Sequence, residues 1–543
     1  MTAGAAGAAG AAGTTDRVDV RSGAYHDSVA LMQVSRSVAA VPGVLAAQVA
    51  MATDLNRDVL RGMGFLLPDG VGPADLVVAV RAVDDDAHEA ARSAVAAALA
   101  PPPPAAGGGV AVAPHRTTGA AVRAQAGGGP VLALISTPGV HAFVEAVDAL
   151  EAGADVMVFS DNVPVEQEIR LKELAAERGR LVMGPDCGTA VVAGVGLGFA
   201  NVVTPGPVGL VAASGTGAQQ VMSLLDAAGV GVRHCLGVGG RDLSAQVRGR
   251  STRRALALLD ADPGVELIVV VSKPPAPEVE AEIRDVAAAL RTPVQFALLG
   301  RDRPDLTVAA RAAVEAVGGT WAPPPSWPSP RDGGPARSGA RLRGAFSGGT
   351  LCDEAMVIAA ERLGPIASNI PLPGAPRLAA DLRAADDGSV PEHVMIDFGD
   401  DELTRGRPHP MIDGMLRTAW LAREAQALQP GDGAVVLLDV VLGHAAHPDP
   451  AAELGPAIAD ARAAAAGRGA ALAVVVSLCG TAADPQGLPR QAQALQAAGA
   501  SVHLSNADAA RAALDALTPP GTVPATASGT RPDPSRPDPT EVP

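Results

Sequence analysis

Short apolar runs alternate with stretches of helical spacing over most of the chain beyond residue 130. VLALIS (131–136) reads as a strand, and residues 140–152 have the three-and-four spacing of a helix. DVMVFSDN (155–162) is a strand with a polar end, Glu166 to Gly179 is helical, and LVMGPDCGT (181–189) is a strand entering a turn. Strands and helices in this order predict a parallel sheet with right-handed crossovers. Ahead of that region the pattern is more polar. It predicts a small α+β module: strand 17–25, helix 27–41, strand 44–51, helix 54–62, strand 75–82 and helix 84–99.

The remainder repeats itself in pattern. Strand VGLVAA (208–213), turn SGTG (214–217) and helix 218–228 are answered by LRGAF (342–346), SGGT (347–350) and helix 351–363. CLGVGGRDLS (235–244) is answered by MIDFGDDELT (395–404), each a strand ending in glycine and aspartate. LIVVVSKPPAPEVEAEI (267–283) is answered by AVVLLDVVLGHAAHPDPAAEL (434–454), each a strand, a proline-containing turn and a helix. Two flavodoxin-like domains give this pattern, with ligand sites at the carboxyl ends of their strands. Proline and glycine clusters mark the boundaries. The expected organisation is a disordered tail (1–15), the α+β module (16–100), a linker (101–129), an α/β domain (130–204), one flavodoxin-like domain (205–320), a linker (321–340), the second (341–517) and a disordered tail (518–543).

Composition sharpens this. Aromatics are 2% of the chain and apolar residues 48%, so Val, Leu, Ile and Ala must fill the cores, as in parallel sheets buried on both faces. A net charge of -16 speaks against a nucleic-acid partner. No apolar run approaches the ~20 residues that span a membrane. The start, MTAGAAGAAGAAGTT, lacks the charged and apolar regions of a signal peptide. Cys187, Cys235, Cys352 and Cys479 are scattered with no CxxC pair, which points to a reduced, cytoplasmic setting and no zinc site of ordinary spacing. Of 42 basic residues only Lys172 and Lys273 are lysines, so each of those two positions raises a question about its surroundings.

Candidate chemistry sits at the strand ends. Ser214, Gly215, Thr216 and Gly217 join a strand to a helix, where glycines allow a tight turn and free N–H groups meet an anion. A pair of helix caps is the plain alternative; Ser347, Gly348, Gly349 and Thr350 at the equivalent point of the repeat favour anion binding. Arg241 and Asp242 put a cation beside a carboxylate, and Lys273 at the rim of the sheet suits a phosphate or carboxylate, with a structural salt bridge as the alternative. Asp400, Asp401, Arg405, Arg407 and His409 crowd the matching loop, with forked arginine contacts to a carboxylate or phosphate as their use and a solvated loop of local ion pairs as the plain alternative. His444, His447 and Asp449 could serve acid–base chemistry, and metal binding there is disfavoured for want of further ligands. Cys187 could be a nucleophile, but a cysteine at a turn is more often merely small.

GPVGLVAASGTGAQQV (206–221) and CLGVGGRDLS resemble the CoA-ligase part of the succinyl-CoA synthetase α subunit, and the second half resembles the corresponding part of its β subunit. FSDNVPVEQEIRLK, MGPDCGT, ASGTGAQ, GVGGRDLS, VSKPPA, SGGTLCDEA, IDFGDDELTRGRPHPMID and LLDVVLG, in this order, resemble the FdrA family from about 17 to 515. The resemblance implies a Rossmann-like CoA-binding-type domain at 130–204 followed by two ligase-like domains, with CoA as a possible cofactor. No segment resembles an ATP-grasp domain, and no histidine stands between His234 and His393 to serve as a phosphohistidine. The family's link to allantoin and purine breakdown implies an oxamate carbamoyltransferase subunit acting with two partner subunits. In that role the 214–217 turn would take the phosphate of carbamoyl phosphate, Lys273 and Arg241 would offset its charge, and Arg405 and Arg407 would hold oxamate. An acyl-CoA ligase borrowing a separate ATP-grasp subunit, and a non-catalytic scaffold or ligand sensor, stay open beside it.

Overall fold

Four sheets carry the described residues. The computed structural model describes residues 14–517 apart from 25, 27, 101–114, 126–128, 330–338, 386–388, 390 and 406. Both expected tails, except residues 14 and 15, and much of both expected linkers lie outside the described residues.

The N-terminal module is an antiparallel sheet, Thr15–Arg21, Leu76–Ala82, Val44–Met51 in spatial order, with helices Ser28–Ala39, Asp54–Gly62 and Asp85–Ala98. Leu31, Val34 and Val38 of the first helix and Ala87, Ala91 and Val95 of the last fill its main core with residues of the strands. Thr53 and Asp84 cap the second and third helices by accepting from backbone N–H groups three residues on, as short polar residues at helix starts do.

The next sheet is parallel and has three strands, Leu132–Ile135, Asp155–Val158 and Val182–Met183, crossed by helices Gly139–Glu151 and Val165–Glu177. The hairpin Thr189–Val192 and Val195–Gly198, which sequence groups with this domain, instead extends the following sheet by pairing antiparallel with Val232–Gly237. Val191 and Phe199 belong to the next core, and burying them there outweighs continuity in sequence.

The repeat is real in topology. Counted in chain order, the first ligase-like half has its parallel strands ordered 4-3-1-2 (Val294–Leu298, Leu267–Ser272, Val208–Ala212, Val232–Gly237). The second is ordered 5-4-3-1-2 (Ser501–His503, Ala471–Cys479, Gly433–Val441, Arg341–Phe346, Val394–Asp397), with Ser326–Trp327 antiparallel at its edge. Both are the doubly wound order in which ligands meet the carboxyl ends of the strands. Their central strands are buried on both faces and apolar but for Ser272 and Asp439. Helices Gly215–Ala227 and Gly349–Leu363 pack with both sheets into one shared core, so the halves form a single body with their strand ends facing a common region. No helix among the described residues is long and apolar enough to cross a membrane.

Candidate functional site

The two glycine–threonine turns meet. Ser214 caps helix Gly215–Ala227 by accepting from Gly217 N at 3.0 Å, and its hydroxyl lies 2.7 Å from that of Thr350. On the other side Thr216 packs against Gly348 so closely that a methyl group at Gly348 would come within 2.7 Å of it. Gly348 is the cap residue of helix Gly349–Leu363. Each threonine thus touches the cap of the other's helix, and Gly215-Thr216 corresponds to Gly349-Thr350. The structural repeat is shifted by one residue from the serine-to-serine match of the sequence.

The two turns differ in what fills them. Ser347 N, Ser347 Oγ and Gly348 N donate to the carboxylate of Asp439 at 2.7, 2.8 and 2.9 Å, and Arg417 donates to the same carboxylate at 2.9 Å. The anion that sequence assigns to Ser347 and Gly348 is therefore the protein's own, a correction that follows from Asp439 standing in the neighbouring strand. Gly215 in the first turn is exposed, and Gly349 half-buried.

Lys273 stands where the halves and the middle domain converge. Its ammonium lies 2.9 Å from Asp353 Oδ2, and 3.2 Å from where a methyl group at Gly349 would be. A methyl at Gly349 would also meet Asp397 Oδ2 at 2.6 Å. Burial works against the charge on Lys273, but Asp353 and Asp397 outweigh it and hold the ammonium above the ordinary lysine value. With 43% of its side chain accessible, Lys273 looks into a recess rather than into solid core. Burial pushes the Asp397 carboxyl up to about 7 against the pull of Lys273, and raises Asp353 as well. Asp186, an exposed side chain, joins from the middle domain: partial loss of hydration, then Asp401 and Asp161, raise its carboxyl against Arg241 and Lys273. Asp186 and Asn162 both hold positive φ angles (56° and 54°), at the ends of adjacent strands, where such conformations gather in functional sites. Glycines let this turn dock. A methyl at Gly237 would strike Cys187 Sγ, and one at Gly239 the carbonyl of Pro185, each at 2.5 Å.

Arg241 and Asp242 point apart. Arg241 binds Glu168 at 2.9 Å and the carbonyl of Val163 at 2.8 Å, with 47% of its side chain accessible on the recess side. Asp242 is wholly buried. It accepts from Lys172 at 2.7 Å, from Thr252 Oγ1 at 2.7 Å and from the amides of Ser251 and Thr252, and Lys172 also binds Glu168 at 2.7 Å. Asp242 thus ties helix Val165–Glu177 to helix Arg250–Ala261 and is closed off from any substrate, a correction to its expected place beside Arg241. That network also explains the second lysine: a compact ammonium with three donors meets two carboxylates and the carbonyl of Val238.

The 398–414 loop supplies the remaining expected residues. Asp400 caps the turn Asp401–Thr404, while Arg405 and Arg407 are exposed on its rim. His409 is packed against Phe199 with ring centroids 5.7 Å apart, and its Nε2 is 2.9 Å from where a methyl at Gly399 would be. Burial, with Arg417 adding to it, pushes His409 down to about 4 and keeps it neutral. His447, lowered to about 4 by burial and Arg36, is also neutral. Cys187 is buried and pushed up to about 12 by that burial, which gives it the character of a small apolar residue. Asp353 and Asp397 escaped sequence reasoning. The available signal was Asp353-Glu354, a polar pair inside an apolar helix, standing opposite Gln219-Gln220 in the repeat.

A cavity of about 810 Å³ opens beside the strand end Ile135–Thr137, with Phe159, the Gly196–Gly198 edge and His444 on its walls. Phe159 is 5.8 Å from Phe199, so one further ring, Phe199, stands between the cavity wall and His409.

Residues 14–114 match the family described as AllF, heavy metal-associated domain, and residues 345–516 match CoA-ligase. The matched N-terminal segment contains no cysteine, the soft ligand a heavy metal favours. Its His88 is spent on Thr15, and among the described residues no group of three His, Cys, Asp or Glu could hold a metal ion, so the residues present do not fit one. The α subunit of the ADP-forming succinate–CoA ligase of Methanothermobacter thermautotrophicus is 29% identical over 22% of this chain and 40% of that subunit. Among solved structures, a dinucleotide-forming acetyl-coenzyme A synthetase of Ca. Korarchaeum cryptofilum in complex with phosphate and ADP is 18% identical over 71% of this chain and 84% of that one, at a TM-score of 0.27. The uncharacterized protein YahF of Escherichia coli is 36% identical over 503 residues, 89% of this chain and 95% of its own length. On that breadth of similarity the chain belongs to the family of YahF, with an α/β architecture in which residues 345–516 are a CoA-ligase domain.

Proposed function

We propose that the chain is a subunit of a group-transfer enzyme of the FdrA type, moving a carbamoyl group between phosphate and a small carboxylate, with oxamate as the acceptor and two further subunits as partners. The observation that carries this is Lys273 standing in a recess between Asp353 and Asp397, beside the start of helix Gly349–Leu363. A fixed ammonium favours the phosphate of carbamoyl phosphate, and favours it more as charge accumulates on leaving. Asp397, at about 7, can exchange a proton near neutral pH. The amide nitrogen of oxamate forms the new C–N bond, the carbamoyl C–O bond to phosphate breaks, the nitrogen's proton passes to Asp397, and phosphate leaves. Arg241 offsets charge from the open side of the recess. None of these steps calls for ATP or a phosphohistidine.

A second reading, an acyl-CoA ligase completed by a separate ATP-grasp subunit, is favoured by the cavity of about 810 Å³, a size that suits a cofactor. The deciding experiment is phosphate release from carbamoyl phosphate, with and without oxamate, by the complex purified from its native host. Oxamate-dependent release supports the transferase. No release, with turnover that needs ATP, CoA and a short carboxylate, overturns it in favour of the ligase.

A further inference from the structure

Helix Ser28–Ala39 of the N-terminal module has two working faces. Leu31, Val34 and Val38 face the module's own sheet, where Ser35 also bonds to Val49. Met32 and Arg36, one turn apart, face the ligase-like body. Met32 packs against the core shared by the two halves. Arg36 binds Glu453 at 2.7 Å and also donates to the carbonyl of Ile412.

Ile412 lies in the closing limb of the 398–414 loop. The amides of Ile412 and Asp413 donate to the carbonyl of His409 at 2.7 and 3.1 Å, so Arg36 grips the turn that holds His409. Glu453, the other partner of Arg36, is also tied to this limb. Its Oε1 lies 3.1 Å from where a methyl at Gly414 would be, and its Oε2 is 3.5 Å from Nε2 of His447, whose amide donates to Met411 O at 2.8 Å. From below, Arg417 holds the carbonyl of Pro410 at 3.4 Å. The limb is therefore clamped from one side by the body and from the other by the module. Arginine suits this place because its fork reaches a carbonyl and a carboxylate together, which a lysine does less well.

We infer that Arg36 is a positioning residue for the site, and that the N-terminal module acts on the site through it. Docking of the module fixes the turn at His409, and any contact that draws the module away releases that turn. The inference rests on the reading of the 398–414 loop as part of the site.

The test is hydrogen exchange by mass spectrometry on the full chain, without substrate. Arg36→Met is expected to speed exchange at residues 409–414 by roughly tenfold, the loss of a charge-assisted bond to a local segment, and to leave strands Val44–Met51 and Leu76–Ala82 as they were. Glu453→Gln, which spares the module, is expected to act on the same segment, and Arg36→Lys to give an intermediate rate. Unchanged exchange at 409–414 in Arg36→Met, or an equal rise in the module strands and the loop, overturns the inference. Because the readout needs no turnover, a negative phosphate-release result leaves it standing, and its own failure leaves the transferase reading standing.

Discussion

The hydroxyls of Ser214 and Thr350 lie 2.7 Å apart although 136 residues separate them in sequence. This one contact fixes how the two ligase-like halves are joined. Two helix starts, each following the first strand of a doubly wound sheet, are set cap against cap, and Thr216 against Gly348 completes the crossing. One turn further along, Gln220 accepts from Asn506 N in the second half while Glu354 accepts from Leu306 N in the first, at 3.2 and 2.6 Å. The interface is thus a pseudo-twofold exchange of polar contacts around a shared apolar core. Its departures from symmetry, Asp353 and Asp397 where the first half has Gln219 and Gly237, make the recess of Lys273 charged.

Gly348→Ala should part the halves. The added methyl meets Thr216 across a joint that has no slack, and overpacking of this kind costs about 1–3 kcal/mol. Ser214→Ala loses the cap of helix Gly215–Ala227 and the hydroxyl contact, at about 1 kcal/mol. Urea unfolding of each variant measures both. A Gly348→Ala protein as stable as the parent would mean that the joint opens freely.

Lys273→Met removes the cation and leaves Asp353 and Asp397 without their main counter-charge. Both carboxyls should then hold their protons to higher pH. Oxamate-dependent phosphate release should fall by on the order of 100-fold, the usual effect of deleting one donor aimed at developing charge, and Lys273→Arg should recover part of it. Wild-type rates in Lys273→Met would remove Lys273 from the chemistry.

Asp439 tests whether the second turn is structural. Asp439→Asn weakens the acceptor for Ser347 and Gly348 and strands the buried Arg417, and breaking such a pair from one side costs about 3–5 kcal/mol. Replacing both partners, as in Asp439→Leu with Arg417→Met, should cost less than Asp439→Asn alone. Denaturant midpoints for the three proteins decide it. A double variant less stable than the single would show that the amides of Ser347 and Gly348 need the carboxylate more than Arg417 does.

Much of this was legible in the chain. Runs such as LIVVVS and VGLVAA can only be strands buried on both faces, and the glycine–threonine turns after them mark the carboxyl ends where ligands gather. Lys273 stood out as a rare lysine at such an end. What sequence could not show is direction. Arg241 and Asp242 are neighbours, yet one faces the recess and the other a buried lysine, because a tight turn sends consecutive side chains apart. The hairpin at 189–198 falls with the 130–204 domain in sequence, and only its pairing and the packing of Phe199 move it to the following sheet. Asp353 and Asp397 become a pair with Lys273 only once the halves are docked.

The raised carboxyls set a pH dependence of stability. Burial lifts Glu354 and Asp397 to about 7, whereas in the unfolded chain they titrate near 4. The folded protein therefore binds more protons than the unfolded one in that interval. Stability from these groups is complete below the unfolded value and is lost as pH rises through about 7. His409 and His447, both lowered to about 4, act in the opposite sense below pH ~6.5, so the carboxyl effect is cleanest above it. Glu354 is the one to change, since it joins the halves through Leu306 N and Asn506 and lies apart from the recess. Glu354→Gln keeps the acceptor for Leu306, and Asn506 can turn its amide to meet the new NH₂ group. Between pH 6.5 and 7.5 the parent should lose stability by roughly 0.7 kcal/mol for each such group. The variant should lose less by one group's share, with urea midpoints at the two pH values as the measure. An equal fall in both proteins would show that Glu354 is already ionised at pH 6.5, its charge held by the bonds from Leu306 and Asn506.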